Sequence, residues 1–197
     1  MHYIFHIGPH KTGSSALQQL LQLNGDRLKN HGILLPQSGR IAGRCAWHYL
    51  AWGCRNPPAA RFDAEVSVET MLADVRIEAE AGGAKKVVIS SEAFTSFDAA
   101  PDRLRKVLGV QRATVLFWLR RSDALLNSWY NHHVRSGKNE HRTIEQFVAA
   151  SHVTSLATRR ADLLAPWADV FGGKIFGCWC WTKGNPRKKY MGSFLRA

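Results

Sequence analysis

Three groups of residues carry chemistry in this sequence. The first is Gly8-Pro9-His10-Lys11-Thr12-Gly13-Ser14-Ser15, which follows an apolar run at 2–7 and precedes a helical pattern. A loop that enters a helix offers unpaired backbone amides and the positive end of the helix dipole, so it can surround an anion. Ser14 and Ser15 add hydroxyl donors and Lys11 a full positive charge. A nucleotide-hydrolase loop would read GxxxxGK[ST], but here Ser14 follows Gly13 and the lysine stands two residues before that glycine, so that motif is absent. Ser and Thr before a helix are also what an ordinary N-cap uses, although a bare cap does not call for a lysine and two glycines.

The second group follows an apolar run at 114–119. Arg120 stands where that run ends, and Ser128, Tyr130 and Gly137 come after it. A guanidinium can fork onto phosphate oxygens, and a serine on the following helix can add one donor. The bland alternative is a surface salt bridge with a helix-filling serine. The third group is the carboxylate Glu92, two residues beyond Ser90 at the end of an apolar run at 87–89. His48, between Trp47 and Tyr49, is its rival as a proton acceptor, although a histidine among aromatics is more often a packing residue.

Elements must position these groups. Strands are expected at 2–7, 87–89, 114–119 and 174–181. Helices are expected from about 16 to 28, with Ala16, Leu17, Leu20, Leu21, Asn24 and Leu28 at three- and four-residue steps, then at 68–81, 123–134 and up to the Gly172-Gly173 pair. Strands that are apolar on both faces and separated by helices suit a parallel sheet covered on both sides. The expected class is therefore α/β, a three-layer P-loop-like fold with a central, mainly parallel sheet flanked by helices. Ligands bind such sheets beyond the carboxyl ends of the strands. Residues 36–63, rich in Gly, Pro and Arg, form a long excursion of the kind that is often functional.

The Lys11-Thr12-Gly13-Ser14-Ser15 stretch resembles the phosphosulfate-binding loop of sulfotransferases that use PAPS (3′-phosphoadenosine 5′-phosphosulfate), and IGPHKTGSSALQQLL is similar throughout to the heparan-type and bacterial branches. Arg120, Ser128, Tyr130 and Gly137 match the family's 3′-phosphate element, with Ser122 where a proline is usual. The resemblance implies that Lys11 supports the bridging oxygen of the donor as negative charge builds on it. It also implies that Lys11, Thr12, Gly13, Ser14 and Ser15 hold the 5′-phosphate, and Arg120 and Ser128 the 3′-phosphate. Glu92 falls where the family often places its general base, and apolar surroundings would raise its pKa toward a useful value; His48 stays open as the alternative. Metal is not required. The likeness covers residues 3–150, whereas 175–197 read as a divergent or truncated tail.

The 197 residues fit one domain. Their formal charge of +12 favours an anionic partner without naming it. The expected partners are a nucleotide donor and a small-molecule or carbohydrate acceptor, with no specific nucleic acid. No run reaches the roughly 18 apolar residues of a membrane span, and the first residues lack the pattern of a secretory signal, so a cytoplasmic location is expected. Cys45, Cys54, Cys178 and Cys180 have no clear metal or redox spacing and are expected reduced; a zinc site from Cys45, His48 and Cys54 would lack a fourth ligand. Two other readings stay open: a catalytically inactive basic protein that binds a nucleotide or polyanion, and a divergent P-loop kinase.

Overall fold

In the computed structural model, residues 1–63, 65–109, 111–137, 140–172 and 175–176 are described. Among them five strands form one all-parallel sheet in the order β2-β3-β1-β4-β5: β1 (His2–His6), β2 (Ile33–Leu34), β3 (Lys86–Ser90), β4 (Arg112–Leu116) and β5 (Ile175–Phe176). The helices that accompany them are α1 (Ser14–Leu23), α2 (Gly25–Asn30), α3 (His48–Gly53), α4 (Val68–Ala81), α5 (Pro101–Leu108), α6 (Ser122–Arg135), α7 (Ile144–Ala149), α8 (Ser151–Thr158) and α9 (Arg160–Phe171). The expected α/β class is the one observed.

β1 lies at the centre, with β3 on one side and β4 on the other, in register His6↔Ser90 and His6↔Leu116. The chain runs outward from β1 to β2, returns through β3 and then crosses to β4, so the strand order reverses around β1. Such a reversal opens a crevice at the carboxyl ends of the strands. The segments after β1, β3 and β4 meet there.

The core explains the placement. Phe5, Ile7, Val87, Ile89, Val115 and Phe117 are each at most 2% exposed. Phe5 packs edge-on to Phe94 at 6.0 Å and lies 6.5 Å from Trp167 and 6.2 Å from Phe171. The excursion at 36–63 folds onto this core. Trp47 is buried, donates from Nε1 to Pro36 O at 3.0 Å and from its amide to Ser90 O at 3.1 Å, and Arg40 covers its ring at 4.1 Å. A Cβ at Gly53 would come within 2.7 Å of Phe62, so this glycine is dictated by close approach.

Several elements differ from expectation. β4 ends at Leu116 rather than 119, because β1 is exhausted at His6 and offers no further ladder; Phe117 stays buried outside the sheet. The helix expected at 16–28 breaks at Asn24, whose side chain donates to Leu20 O at 2.8 Å and which is followed by Gly25. More consequential is the face of α1. Its fully buried residues are Ser14 and Gln18, while Leu20 and Leu23 are 59% and 84% exposed, so the leucine stripe is not what anchors this helix. The two-residue β2, α5, α7 and α8 carried too little periodic signal to be expected. Of the strand expected at 174–181, Ile175–Phe176 pairs with Val115 and Leu116; residues 177–181 and the tail with Arg187, Lys188 and Lys189 lie outside the described residues.

Candidate active site

At the end of β1 the backbone turns over its own strand. A Cβ at Gly8 would lie 3.0 Å from His6 Nε2 and 3.2 Å from Trp118 Cβ, so only glycine lets the loop close this tightly. Lys11 and Gly13 both adopt left-handed backbone conformations, with φ of 67° and 99°. For lysine that conformation costs about 1–2 kcal/mol, and strain of this kind concentrates at binding sites. Left-handed residues set among right-handed ones turn successive N–H groups to one side, the geometry of an anion nest. Thr12 stabilises the turn by donating from Oγ1 to Pro9 O at 2.7 Å.

The N-cap of α1 is Gly13, and no side chain caps the helix. The hydroxyl-cap alternative is therefore not the arrangement present: Ser14 and Ser15 lie within the first turn. Ser14 is 4% exposed, and its Oγ is buried without a protein hydrogen-bond partner. An unpartnered buried hydroxyl at an uncapped helix N-terminus suits an anion.

Arg120 comes to this loop from the other side of β1. It lies four residues beyond β4, in a loop rather than at the strand's end, and Nη1 donates to Lys11 O at 2.8 Å. Its Nε is buried without a partner. From behind, Arg160 Nη2 donates to Arg120 O at 2.6 Å and to Ser122 Oγ at 2.9 Å, and Ser122 Oγ donates to Ala157 O at 3.1 Å. Ser122 is the first residue of α6, a position where proline is well tolerated. The serine instead ties the start of α6 to α8 and α9. Ser128, two turns into α6, reaches the same cleft as Arg120. Tyr130 does not join them: its hydroxyl donates to Arg142 O at 3.0 Å and its ring packs on Phe147 at 5.5 Å. Gly137, with φ of 67°, lies just past the end of α6, where a glycine commonly terminates a helix.

Glu92 opens a short 3₁₀ turn (Glu92–Phe94) after β3. Gln18 Nε2 donates to its Oε2 at 2.9 Å and also reaches Ser90 Oγ at 3.3 Å. Ser90 Oγ in turn bonds His6 Nδ1 at 2.8 Å. Around the other carboxylate oxygen, Oε1, stand His10 Nδ1 at 3.8 Å and His48 Nε2 at 3.9 Å. His48 Nδ1 bonds Ser91 Oγ at 2.8 Å. Glu92 and His48 are thus parts of one cluster rather than rivals at separate places.

The electrostatics correct one expectation. Burial does push the Glu92 carboxyl up, but the Gln18 amide, the residue's own backbone N–H, His48 and His10 outweigh it and hold the pKa below the ordinary value. Burial lowers His10 and His48, with Glu92 pulling partly the other way. His6, fully buried, is lowered by desolvation to about 4. Near neutral pH the cluster is therefore one carboxylate among neutral imidazoles.

One cleft of about 380 Å³ is lined by His10, Lys11, Gly13, Ser14, Ser15, Glu92, Arg120, Ser128 and His132. Of the residues singled out from sequence, it gathers Lys11, Gly13, Ser14, Ser15, Glu92, Arg120 and Ser128. Thr12 turns its hydroxyl into the loop, and His48 stands behind Glu92. His10, Gln18 and His6 are the members that sequence reading missed. The signal for Gln18 was the four-residue step from Ser14. Burial pushes the Cys54 thiol pKa up, and among the described residues no group of three His, Cys, Asp or Glu side chains could hold a metal ion.

No protein-family model matches the chain, and no curated protein sequence matches it significantly. Among solved structures it is similar to a sulfotransferase from Alicyclobacillus acidocaldarius, with a TM-score of 0.52 and 20% identity over 90% of this chain and 72% of that one. At that identity the likeness establishes the fold: a sulfotransferase-like arrangement of a parallel sheet and its covering helices. No helix among the described residues is long and apolar enough to cross a membrane.

Proposed function

We propose that this chain is a sulfotransferase that takes the sulfuryl group of PAPS and passes it to a hydroxyl or amine acceptor, a small molecule or a carbohydrate, in the cytoplasm. The observation that carries the reading is the convergence of Lys11, Ser14, Ser15, Arg120 and Ser128, drawn from the segments after two different strands, on one cleft with Glu92 at its side. The donor set fits a doubly phosphorylated nucleotide. An uncapped helix start, the orphaned Ser14 hydroxyl and Lys11 suit one phosphate; the Arg120 guanidinium, with its Nε unpartnered, and Ser128 suit a second.

PAPS, when bound, supplies an activated sulfuryl group. The chain's own residues do the rest. Lys11 and the first turn of α1 stabilise the negative charge that grows on the departing phosphate side, and because the strained loop already holds them they need no reorganisation as it appears. Arg120 fixes the end that distinguishes PAPS from a plain adenylate and, through its bond to Lys11 O, sets the two phosphate subsites a constant distance apart. Glu92 and its histidines form the basic wall that receives the acceptor's proton.

Calorimetry with PAP (3′-phosphoadenosine 5′-phosphate) and AMP tests the reading. PAP binds at least tenfold more tightly, and Arg120→Ala removes most of that preference. Equal affinity for both, with steep salt dependence, would instead indicate a general polyanion-binding protein. Transfer of radiolabelled sulfate from PAPS to a panel of sugars and phenols then tests the chemistry.

A further inference from the structure

Glu92 is poorly suited to take the acceptor's proton itself. Its pKa lies below the ordinary carboxylate value, and a weaker base gains less from proton transfer. Its Oε2 is already engaged by Gln18, so only Oε1 faces the remaining groups. Two imidazoles stand beside that oxygen, and they differ. His48 has both nitrogens committed, Nδ1 to Ser91 and Nε2 toward Glu92, and its side chain is 23% exposed. His10 presents Nδ1 to Glu92, lines the cleft next to Lys11 and is 47% exposed in its side chain. Its ring is steadied edge-on by Trp129 at 5.7 Å.

We propose that His10, not Glu92, is the proton acceptor of the transfer reaction, with Glu92 Oε1 orienting its imidazole and balancing the imidazolium that forms. This rests on the sulfotransferase reading. A carboxylate facing Nδ1 favours the tautomer protonated there, which leaves the lone pair on Nε2. The separation of 3.8 Å is long for a hydrogen bond, as catalytic pairs often are before substrate closes the site. In the step, the acceptor's O–H proton moves to Nε2 while the O–S bond forms. The bond from sulfur to the 5′-phosphate oxygen breaks, and its electron pair leaves with PAP beside Lys11. His10 then returns the proton to solvent, and His48, tied to Ser91, serves as a positioning residue for Glu92.

The charged and titratable groups that face His10 are Glu92, His48, Arg55 and Lys11, with Arg120 and His132 also lining the cleft. Burial and the cations lower the His10 pKa, while Glu92 raises it. The neutral form is the active one, so activity falls as pH drops through a value below the ordinary histidine pKa.

The test uses His10→Ala, His10→Gln and Glu92→Gln in the full chain. The expected result is that both His10 variants bind PAP within about twofold of wild type, which shows them folded, yet lose about 100-fold or more in kcat. Added imidazole restores part of the turnover of His10→Ala. In wild type the acid limb of kcat/KM coincides with the His10 titration followed by NMR of its imidazole, and in Glu92→Gln both move to lower pH together. An unmoved His10 titration in Glu92→Gln overturns the pair. So does a His10→Ala variant that keeps wild-type turnover, or one that imidazole does not rescue. Absence of transfer by wild type would instead count against the sulfotransferase reading, and the NMR titration would still judge the pair.

Discussion

The two sides of the cleft are built on different principles. The loop side is largely local: Gly8 to Ser15 are consecutive, and their shape comes from backbone conformation, the side-chain bond from Thr12 to Pro9 and the start of α1, with one long-range bond from Arg120 Nη1 to Lys11 O. The carboxylate side is assembled from distant pieces: His10 from the loop, Gln18 from α1, His48 from α3, and Ser90, Ser91 and Glu92 from the end of β3. A contiguous loop of this kind takes most of its shape from its own residues. A cluster gathered from four segments depends on every element that delivers a member, and because its members titrate it is sensitive to acid. The sheet makes both possible, since β1 delivers the loop and β3, its neighbour, delivers the carboxylate in register.

The strongest way to test the loop side is Lys11→Ala. On the proposed function, removing the charge that supports the leaving group lowers sulfate transfer by about 10²–10³-fold, measured with radiolabelled PAPS. A loss of only a few fold would move the chemistry away from this loop.

Next in size is an acid effect that starts at His6, which lies beneath the loop and bonds Ser90 on the carboxylate side. His6 titrates at about 4 in the fold against an ordinary 6.5, so the unfolded chain takes up the proton first and stability falls as pH drops from 6.5 toward 4. A shift of that size corresponds to roughly 3 kcal/mol. The depressed Glu92 adds loss of the same sign as pH falls through its own folded value. Denaturant melts at pH 7 and pH 4.5 read the difference, and His6→Asn flattens it. A wild-type profile already flat over that range would mean that His6 is not held neutral beneath the loop.

Gln18→Leu should cost about 2 kcal/mol in the same melts, the scale of a hydrogen bond to a charged group. It should also raise the Glu92 pKa by removing the amide that lowers it. The change is visible as an upward shift in Glu92 titration by NMR. The smallest effect is expected at Ser122→Pro. Proline suits the first turn of α6, but the bonds to Ala157 O and Arg160 are lost, so stability changes by about 1 kcal/mol or less. A much larger loss, with weaker PAP binding, would show that Arg160 and Ser122 set the position of Arg120.

Much of the fold was legible because periodicity and turn residues are local signals. The central runs at 2–7, 87–89 and 114–119 and the helices at 68–81 and 123–134 all correspond to observed elements. Errors arose where a neighbour decides. β4 is shorter than its apolar run because its partner strand ends first. Leu20 and Leu23 of α1 are exposed and Leu17 and Leu21 only half-buried, because the buried side of that helix is claimed by Ser14 and Gln18. The low pKa of Glu92 was not legible, since it depends on an amide 74 residues away.

The sequence by itself determined the α/β class and singled out the loop after the first strand as an anion-binding candidate; its pairing with Arg120 and Ser128 came from the resemblance to sulfotransferases. The first two follow from local periodicity, turn residues and the donors that a strand-loop-helix junction offers. Only the tertiary structure decided that His10, His48 and Gln18 gather around the one carboxylate of Glu92 and that this carboxyl is more acidic rather than less. A carboxylate's proton affinity is the balance between burial and the donors brought to it, and those donors arrive through packing.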